Sequence, residues 1–395
     1  MFHSQQGRIL RMKWRAFLLL GGAHFITDFY LNFVPALLPV MVRRLDISLA
    51  LAGLVVAGSQ ITANFLQPIF GYIFDSRPSL RWLTLSLAVS GCFMCASGSV
   101  SSYFLFLLFP MIAGVGNGMF HPVGSTLTYH LDPDNRGTLM SLFASIGALG
   151  FALGPAVAAF FLARWDARTL FILLIPAVLI IFGLKRIELP SVSRKSVVTE
   201  GKRWPTISRV MGLLIAVMAL RAWGHMAFGN YLVFYLEASG YTYQTAANIL
   251  TWFLILGALG GVAGGKISDI RGRKPVIGWT ILVGAICAGL FLLTSGIKAI
   301  VFLMACGLLV HASQPVMVVL AQELMPGSIG LATGISMGFV WGLGSLGLLL
   351  SGVVADMWGL PASFWLAVLV LLLGAGLSLL LPVEKERRES QHERI

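Results

Sequence analysis

The sequence predicts an all-α membrane protein: twelve transmembrane helices in two six-helix bundles around a central cavity. Three observations carry that prediction. The 395 residues are 57% hydrophobic and 11% charged, with a mean hydropathy of +0.86, whereas soluble domains are roughly a quarter charged. Windows of about 20 predominantly apolar residues, the length that crosses a bilayer, recur along the chain. The chain also repeats itself: Asp28 and Arg221, Pro122 and Pro315, Gly137 and Gly330, and Gly154 and Gly347 each lie 193 residues apart. Gly71 and Asp75 return 194 residues later as Gly265 and Asp269. Membrane transporters are often built from such repeats, with a polar site near the midplane where the repeats meet.

Taken in order, spans are expected at 14–42, 47–75, 82–100, 102–131, 137–163, 167–184, 210–236, 244–268, 276–296, 299–324, 328–356 and 361–382. The longer ones tilt or extend beyond the hydrocarbon. The first follows Arg8, Arg11, Lys13 and Arg15, and its apolar run continues to Val42 without a small-residue cleavage site, so it is a retained span rather than a signal peptide. After the sixth, residues 185–208 break the apolar pattern with Lys, Arg, Glu and Ser between Pro190 and Pro205, which marks a cytoplasmic linker. The bundles then occupy 1–184 and 209–383, each made of two inverted three-helix repeats, and 384–395 form a charged cytoplasmic tail. Short loops elsewhere make consecutive helices antiparallel neighbours.

Most of the 28 Lys and Arg residues fall in the segments that are cytoplasmic when the N-terminus is inside. By the positive-inside rule both termini are cytoplasmic. The net charge of +12 then lies mostly against anionic lipid and calls for no nucleic-acid partner. The chain is expected to be a monomer in a bacterial cytoplasmic (inner) membrane, in contact with lipid, protons and a small-molecule substrate. Four cysteines define no redox framework: Cys92 and Cys95 share a helical face without further ligands and are expected to pack. No cofactor or metal is expected.

Glycines at helix-contact spacing line two equivalent spans. Gly147, Gly150 and Gly154, with Pro155, lie in the fifth, and Gly342, Gly344, Gly347 and Gly352 lie in the eleventh. Small residues permit close backbone approach where no water drives helices together. The symmetric pair reads as surfaces that slide or rock.

Ionisable residues inside spans are costly, about 2.5–3.5 kcal/mol or more at the bilayer centre, and therefore mark function. His24 and Asp28 are four residues apart on one helical face, as are Arg221 and His225. Asp28 with His24 is the expected proton-coupling site, because a histidine titrates near neutral pH. Arg221 with His225 is the expected anion site, and His121, Gln60, His311 and Gln314 are candidate substrate contacts. An Asp28–Arg221 ion pair is the structural alternative. The run Gly114-Val115-Gly116-Asn117-Gly118 has no preceding strand and no acidic ribose partner, so it is no dinucleotide site. No Walker, HExxH or hydrolase-type GxSxG sequence occurs, and the chain is not expected to be an enzyme.

The most specific motif is Gly265-Lys-Ile-Ser-Asp269-Ile-Arg271-Gly272-Arg273-Lys274, at the cytoplasmic end of the eighth span. Its first-half copy, Gly71-Tyr-Ile-Phe-Asp75-Ser-Arg77-Pro78, keeps Gly, Asp and Arg but has Pro78 and Ser79 where the second copy has Gly272 and Arg273. The motif resembles the loop signature of the major facilitator superfamily, which implies a gating role for Gly71, Asp75, Arg77, Gly265, Asp269, Arg271, Gly272 and Arg273, with the first copy the weaker latch. More narrowly, His24-Phe-Ile-Thr-Asp28-Phe-Tyr, Gln60 to Tyr72, Phe120-His121-Pro122 and Ala321 to Gly327 resemble the fosmidomycin-resistance branch of that superfamily over nearly the whole chain. That branch typically has Glu after His-Pro, where this chain has Val123. Gly150 to Ala159 resembles the fifth-helix signature of drug/proton antiporters, with Ala158 and Ala159 in place of its closing glycines. The resemblance implies a secondary transporter working by alternating access, with proton-coupled efflux of a small anionic compound such as a fosmidomycin-like phosphonate. The alternatives are proton-coupled uptake of a metabolite, since fold fixes neither direction nor substrate, and a non-transporting sensor or membrane enzyme.

Overall fold

A computed structural model describes residues 2–76, 79–132, 136–187, 208–325, 332 and 334–382. The described secondary structure is helical. Among the described residues, twelve helices are long and apolar enough to cross a membrane, from Lys13–Leu45 to Leu360–Ser378. The expected linker, apart from 185–187 and 208, and the tail lie outside the described residues. Large apolar side chains such as Leu179 (65% exposed) and Trp279 (66%) face outward, which suits a lipid surround.

Contacts divide the chain into two compact units, Met1–Ile47 with Gly58–Gly201, and Ser48–Ala57 with Lys202–Ile395. In the first unit, span 1 is two helices, α1 (Phe2–Leu31) and α2 (Val34–Leu45). Proline stands in the first turn of α2, where the missing N–H costs nothing. Asn32, at the break, donates its amide to Phe151 O at 2.7 Å. Span 2 is likewise split, into α3 (Leu49–Phe65) and α4 (Gln67–Ser76). α5 (Leu80–Ser97), α6 (Tyr103–Leu131), α7 (Arg136–Arg164), a 3₁₀ turn over Ala167–Leu173 and α8 (Leu174–Leu184) complete the first half of the sequence. Within the unit α1 packs on α7, α6 and α5, and α5 packs on α6.

The second unit repeats these pairings. α9 (Arg209–Ala238), α10 (Tyr243–Arg271), α11 (Arg273–Leu293) and α12 (Gly296–Leu324) are followed by a π turn over Ile335–Phe339, α13 (Val340–Trp358) and α14 (Leu360–Ser378). α9 packs on α13, as α1 packs on α7, and α11 packs on α12, as α5 packs on α6. The start of α3 groups here because Asp356 of α13 accepts from Leu49 N (2.7 Å) and Ala50 N (2.8 Å), while Tyr231 donates to Leu49 O (3.1 Å). The carboxylate satisfies two helix-start amides, which have no intrahelical partner.

The two glycine-lined helices are packed shut inside their own units. A Cβ on Gly150 would collide with Phe25 O and one on Gly154 would come 2.6 Å from Phe29 O, so α7 lies backbone to backbone on α1; buried Pro155 follows them. In the second unit Gly344 faces Ala222 and Gly347 faces the Trp223 ring. In this conformation these faces hold helices together. Gly150→Val should cost the overpacking penalty of about 1–3 kcal/mol and lower the melting temperature. Gly212→Ala, where nothing lies within 4 Å, should leave it unchanged or slightly raised; equal behaviour of the two variants in a thermal melt would contradict the packing assignment.

Candidate transport site

Each unit buries one polar cluster on its first long helix. In the first, α1 carries His24 and Asp28 one turn apart, and α6 brings His121 and Asn117 to them. His24 Nε2 lies 3.2 Å from Asp28 Oδ2, and His121 Nε2 lies 3.3 Å from Oδ1. Asn117 donates to Oδ1 at 3.0 Å. The His24 ring stacks on Phe143, with centroids 4.1 Å apart, and on Phe120 at 5.5 Å. A side chain on Gly147 would collide with its edge.

The His24 hydrogen bond at its other nitrogen fixes its tautomer. Nδ1 lies 2.7 Å from Phe143 O, and a carbonyl oxygen can only accept, so Nδ1 carries a hydrogen. Nε2 is therefore the nitrogen presented to Asp28. If neutral, it faces a carboxylate oxygen with a lone pair, and two lone pairs at 3.2 Å attract only with a cation or proton between them.

In the second unit the cluster centres on Arg221 of α9, which is 0% exposed. Its Nη2 donates to Gln314 Oε1 of α12, and its Cζ sits 5.4 Å from the Trp341 ring centre. Nε and Nη1 are buried without a hydrogen-bond partner among the described residues, as are Nδ1 of His225 and Nδ1 of His311. The two histidine rings are 5.0 Å apart, and His225 is edge-on to Trp341 at 5.8 Å. Asp28 and Arg221 thus each find their partners within their own unit. A buried guanidinium held by a single neutral amide is an unfinished site, because burying a charge is costly until it is paired.

The duplication reaches into these contacts. His121 pairs with Asp28 and Gln314 with Arg221, and the second pair stands 193 residues after the first, since 314 − 121 and 221 − 28 are the same displacement. His121, a candidate substrate contact in sequence, stands in the Asp28 network. Gln60 accepts from Asn64 at 3.1 Å and joins neither cluster. Asn117, Phe143 and Trp341 are added by the structure: Asn117 is the polar residue of the glycine run, and the Phe143 contact uses a backbone carbonyl.

The cytoplasmic motif of the second unit turns at Gly272, whose φ of +87 suits glycine and whose N–H bonds Ser268 O at 3.0 Å. Arg273, just beyond, reaches Asp269 at 2.5 Å, Ser268 Oγ at 2.6 Å and Glu323 at 3.3 Å. It joins the end of α10 to the end of α12. Proline at position 78 of the first copy cannot take that φ; Arg77, Pro78 and the Asp75 side chain lie outside the described residues. Arg271 is exposed, while Gly265 has open space around its Cα and Gly71 faces Pro122.

Helices of this length and number, with buried charge in each unit, are those of a polytopic membrane protein. The sequence profile of the Major Facilitator Superfamily matches residues 18–347 and 214–395, and the chain belongs to that family. It is an integral membrane secondary transporter; the family and fold are not those of enzymes. It is 27% identical over 391 residues to the fosmidomycin resistance protein of Escherichia coli (strain K12), covering 94% of each chain. It is also 27% identical over 388 residues to the uncharacterized MFS-type transporter YfnC of Bacillus subtilis (strain 168), again with 94% of each covered. Its fold is similar to that of a bacterial homologue of the human lysosomal transporter Spinster, with a TM-score of 0.80, 16% identity and 93% and 96% of the two chains covered. A point mutant of the nucleoside transporter NupG gives a TM-score of 0.76 at 18% identity, with 93% and 98% covered.

Proposed function

We propose that the protein exports a small organic anion, of the phosphonate class, in exchange for protons across a bacterial inner membrane by alternating access. The observation that carries this reading is Arg221, fully buried with Nε and Nη1 unpartnered beside the unpartnered nitrogens of His225 and His311. An oxyanion supplies the acceptors that this cluster lacks, and it would bring the missing counter-charge. Asp28 with His24 takes the coupling proton. The likeness to the fosmidomycin resistance protein and the fifth-helix signature support export. A thermal-shift titration tests the ligand class, because a ligand of the folded state raises its melting temperature. Fosmidomycin should stabilise the purified protein, and a neutral phosphonate diester should not. Equal stabilisation by both would overturn the anionic assignment.

The motif around Asp269 and Arg273 serves as a cytoplasmic latch that holds the outward-open state, and its first-half copy is the weaker one. Asp269→Asn removes the 2.5 Å charge contact to Arg273 and should shift the population away from outward-open more than Asp75→Asn does. Labelling of paired cytoplasmic and periplasmic cysteine reporters measures the shift; equal changes in both variants would contradict unequal latches.

A further inference from the structure

We infer that His24, Asp28 and His121 form a binding site for a divalent first-row transition-metal ion of the Zn²⁺ type. It goes beyond the proposed function, which places the substrate on Arg221, and it uses the same Asp28 and His24 that take the coupling proton there, so metal and proton compete for these atoms. The donor atoms of the three side chains all lie within 4.8 Å of one another. His24 Nε2 lies 3.2 Å from Oδ2 and His121 Nε2 lies 3.3 Å from Oδ1, so the two imidazoles flank the two oxygens of one carboxylate, each at the ~3.3 Å N···O separation of donors standing ~2.0–2.1 Å from a shared metal. Two imidazoles and one carboxylate are the donor set that Zn²⁺, Ni²⁺ and Fe²⁺ prefer, whereas Mg²⁺ and Ca²⁺ take oxygen ligands.

The surroundings are those of a built metal site. Phe143 O holds His24 Nδ1–H, which leaves the Nε2 electron pair aimed at the site. Such an outer hydrogen bond orients a ligating histidine and raises its basicity. Stacking on Phe143 and Phe120 fixes the ring plane, and Asn117 steadies the carboxylate at Oδ1. Side-chain exposures of 8% for His24, 14% for Asp28 and 26% for His121 leave access on the His121 side for a fourth ligand. Protein ligands then number three, as in metal sites that keep one position open. No metal-ligand spacing announces the site in sequence, since His121 follows Asp28 by 93 residues.

The test is binding to the untagged, purified full chain without substrate or gradient, so its outcome is independent of the export reading. Isothermal titration with Zn²⁺ should give one site per chain, and Co²⁺ should give visible d–d absorption that Zn²⁺ displaces. His24→Ala and His121→Ala should each weaken Zn²⁺ binding at least about 100-fold, and Asn117→Ala about 10–100-fold. His225→Ala should leave it unchanged. Should the histidine variants fail to fold, as judged by circular dichroism, Asn117→Ala against His225→Ala decides. A wild-type chain that binds neither ion, binding that survives loss of His24 and His121 or of Asn117, or binding that follows His225 would each overturn the inference.

Discussion

Arg221→Met is expected to make the ligand-free protein more stable while removing anion binding. The two effects have opposite sign because the residue is held for its ligand. Arg221 is fully buried with one hydrogen bond, to Gln314, and two unpartnered donor nitrogens. Taking an ion out of water costs several kcal/mol, and replacing even a buried ion pair by apolar residues of similar volume is often neutral or stabilising by ~1–4 kcal/mol. Against this stands the Gln314 oxygen, left without its donor at a cost of ~1–3 kcal/mol. Relief from burying the charge outweighs the lost hydrogen bond, so the melting temperature should rise. Binding should move the other way: two charge-assisted hydrogen bonds of ~1.5–3 kcal/mol each correspond to a loss of about 100-fold or more in affinity. A calorimetric melt and a fosmidomycin titration on one preparation read both. A variant that is less stable and still binds would show that Arg221 is a structural pillar.

Asp28→Asn should abolish gradient-driven transport while the protein folds and binds its anion. The amide has the same size and can still meet Asn117 and His121, but it neither ionises nor exchanges a proton. His24 would then lose the carboxylate 3.2 Å from Nε2. The expected phenotype is counterflow exchange of labelled for unlabelled substrate at wild-type levels, with accumulation against a gradient gone. Gradient dependence that survives in Asp28→Asn would remove Asp28 from the coupling role.

The architecture was legible because a membrane imposes strong rules. Twelve apolar windows become twelve helices, and their bounds differ by a few residues, where helices such as α10 continue past the apolar window to Arg271. The candidate site was legible only in part. His24 with Asp28 and Arg221 with His225 follow from a four-residue spacing, since one helix turn puts them on one face. His121 and Gln314 lie on other helices, so their partners depend on packing that no local pattern encodes. The 193-residue displacement did hold that information, as it maps the His121–Asp28 contact onto Gln314–Arg221. The Phe143 carbonyl is a backbone atom and leaves no mark in residue type. Breaks in spans 1 and 2 went unread, although Asn32 with Pro35 and Gln67 with Pro68 stand beside them.

Uptake of labelled fosmidomycin into inverted membrane vesicles under an imposed pH gradient tests proton-coupled export most directly. In such vesicles the lumen corresponds to the outer side, so a proton leaving an acidic lumen drives the anion inward. Accumulation is expected with an acidic lumen, lost when the gradient is collapsed and absent in Asp28→Asn and Arg221→Met. Accumulation indifferent to the gradient, or confined to right-side-out vesicles with an alkaline lumen, would contradict export by proton exchange.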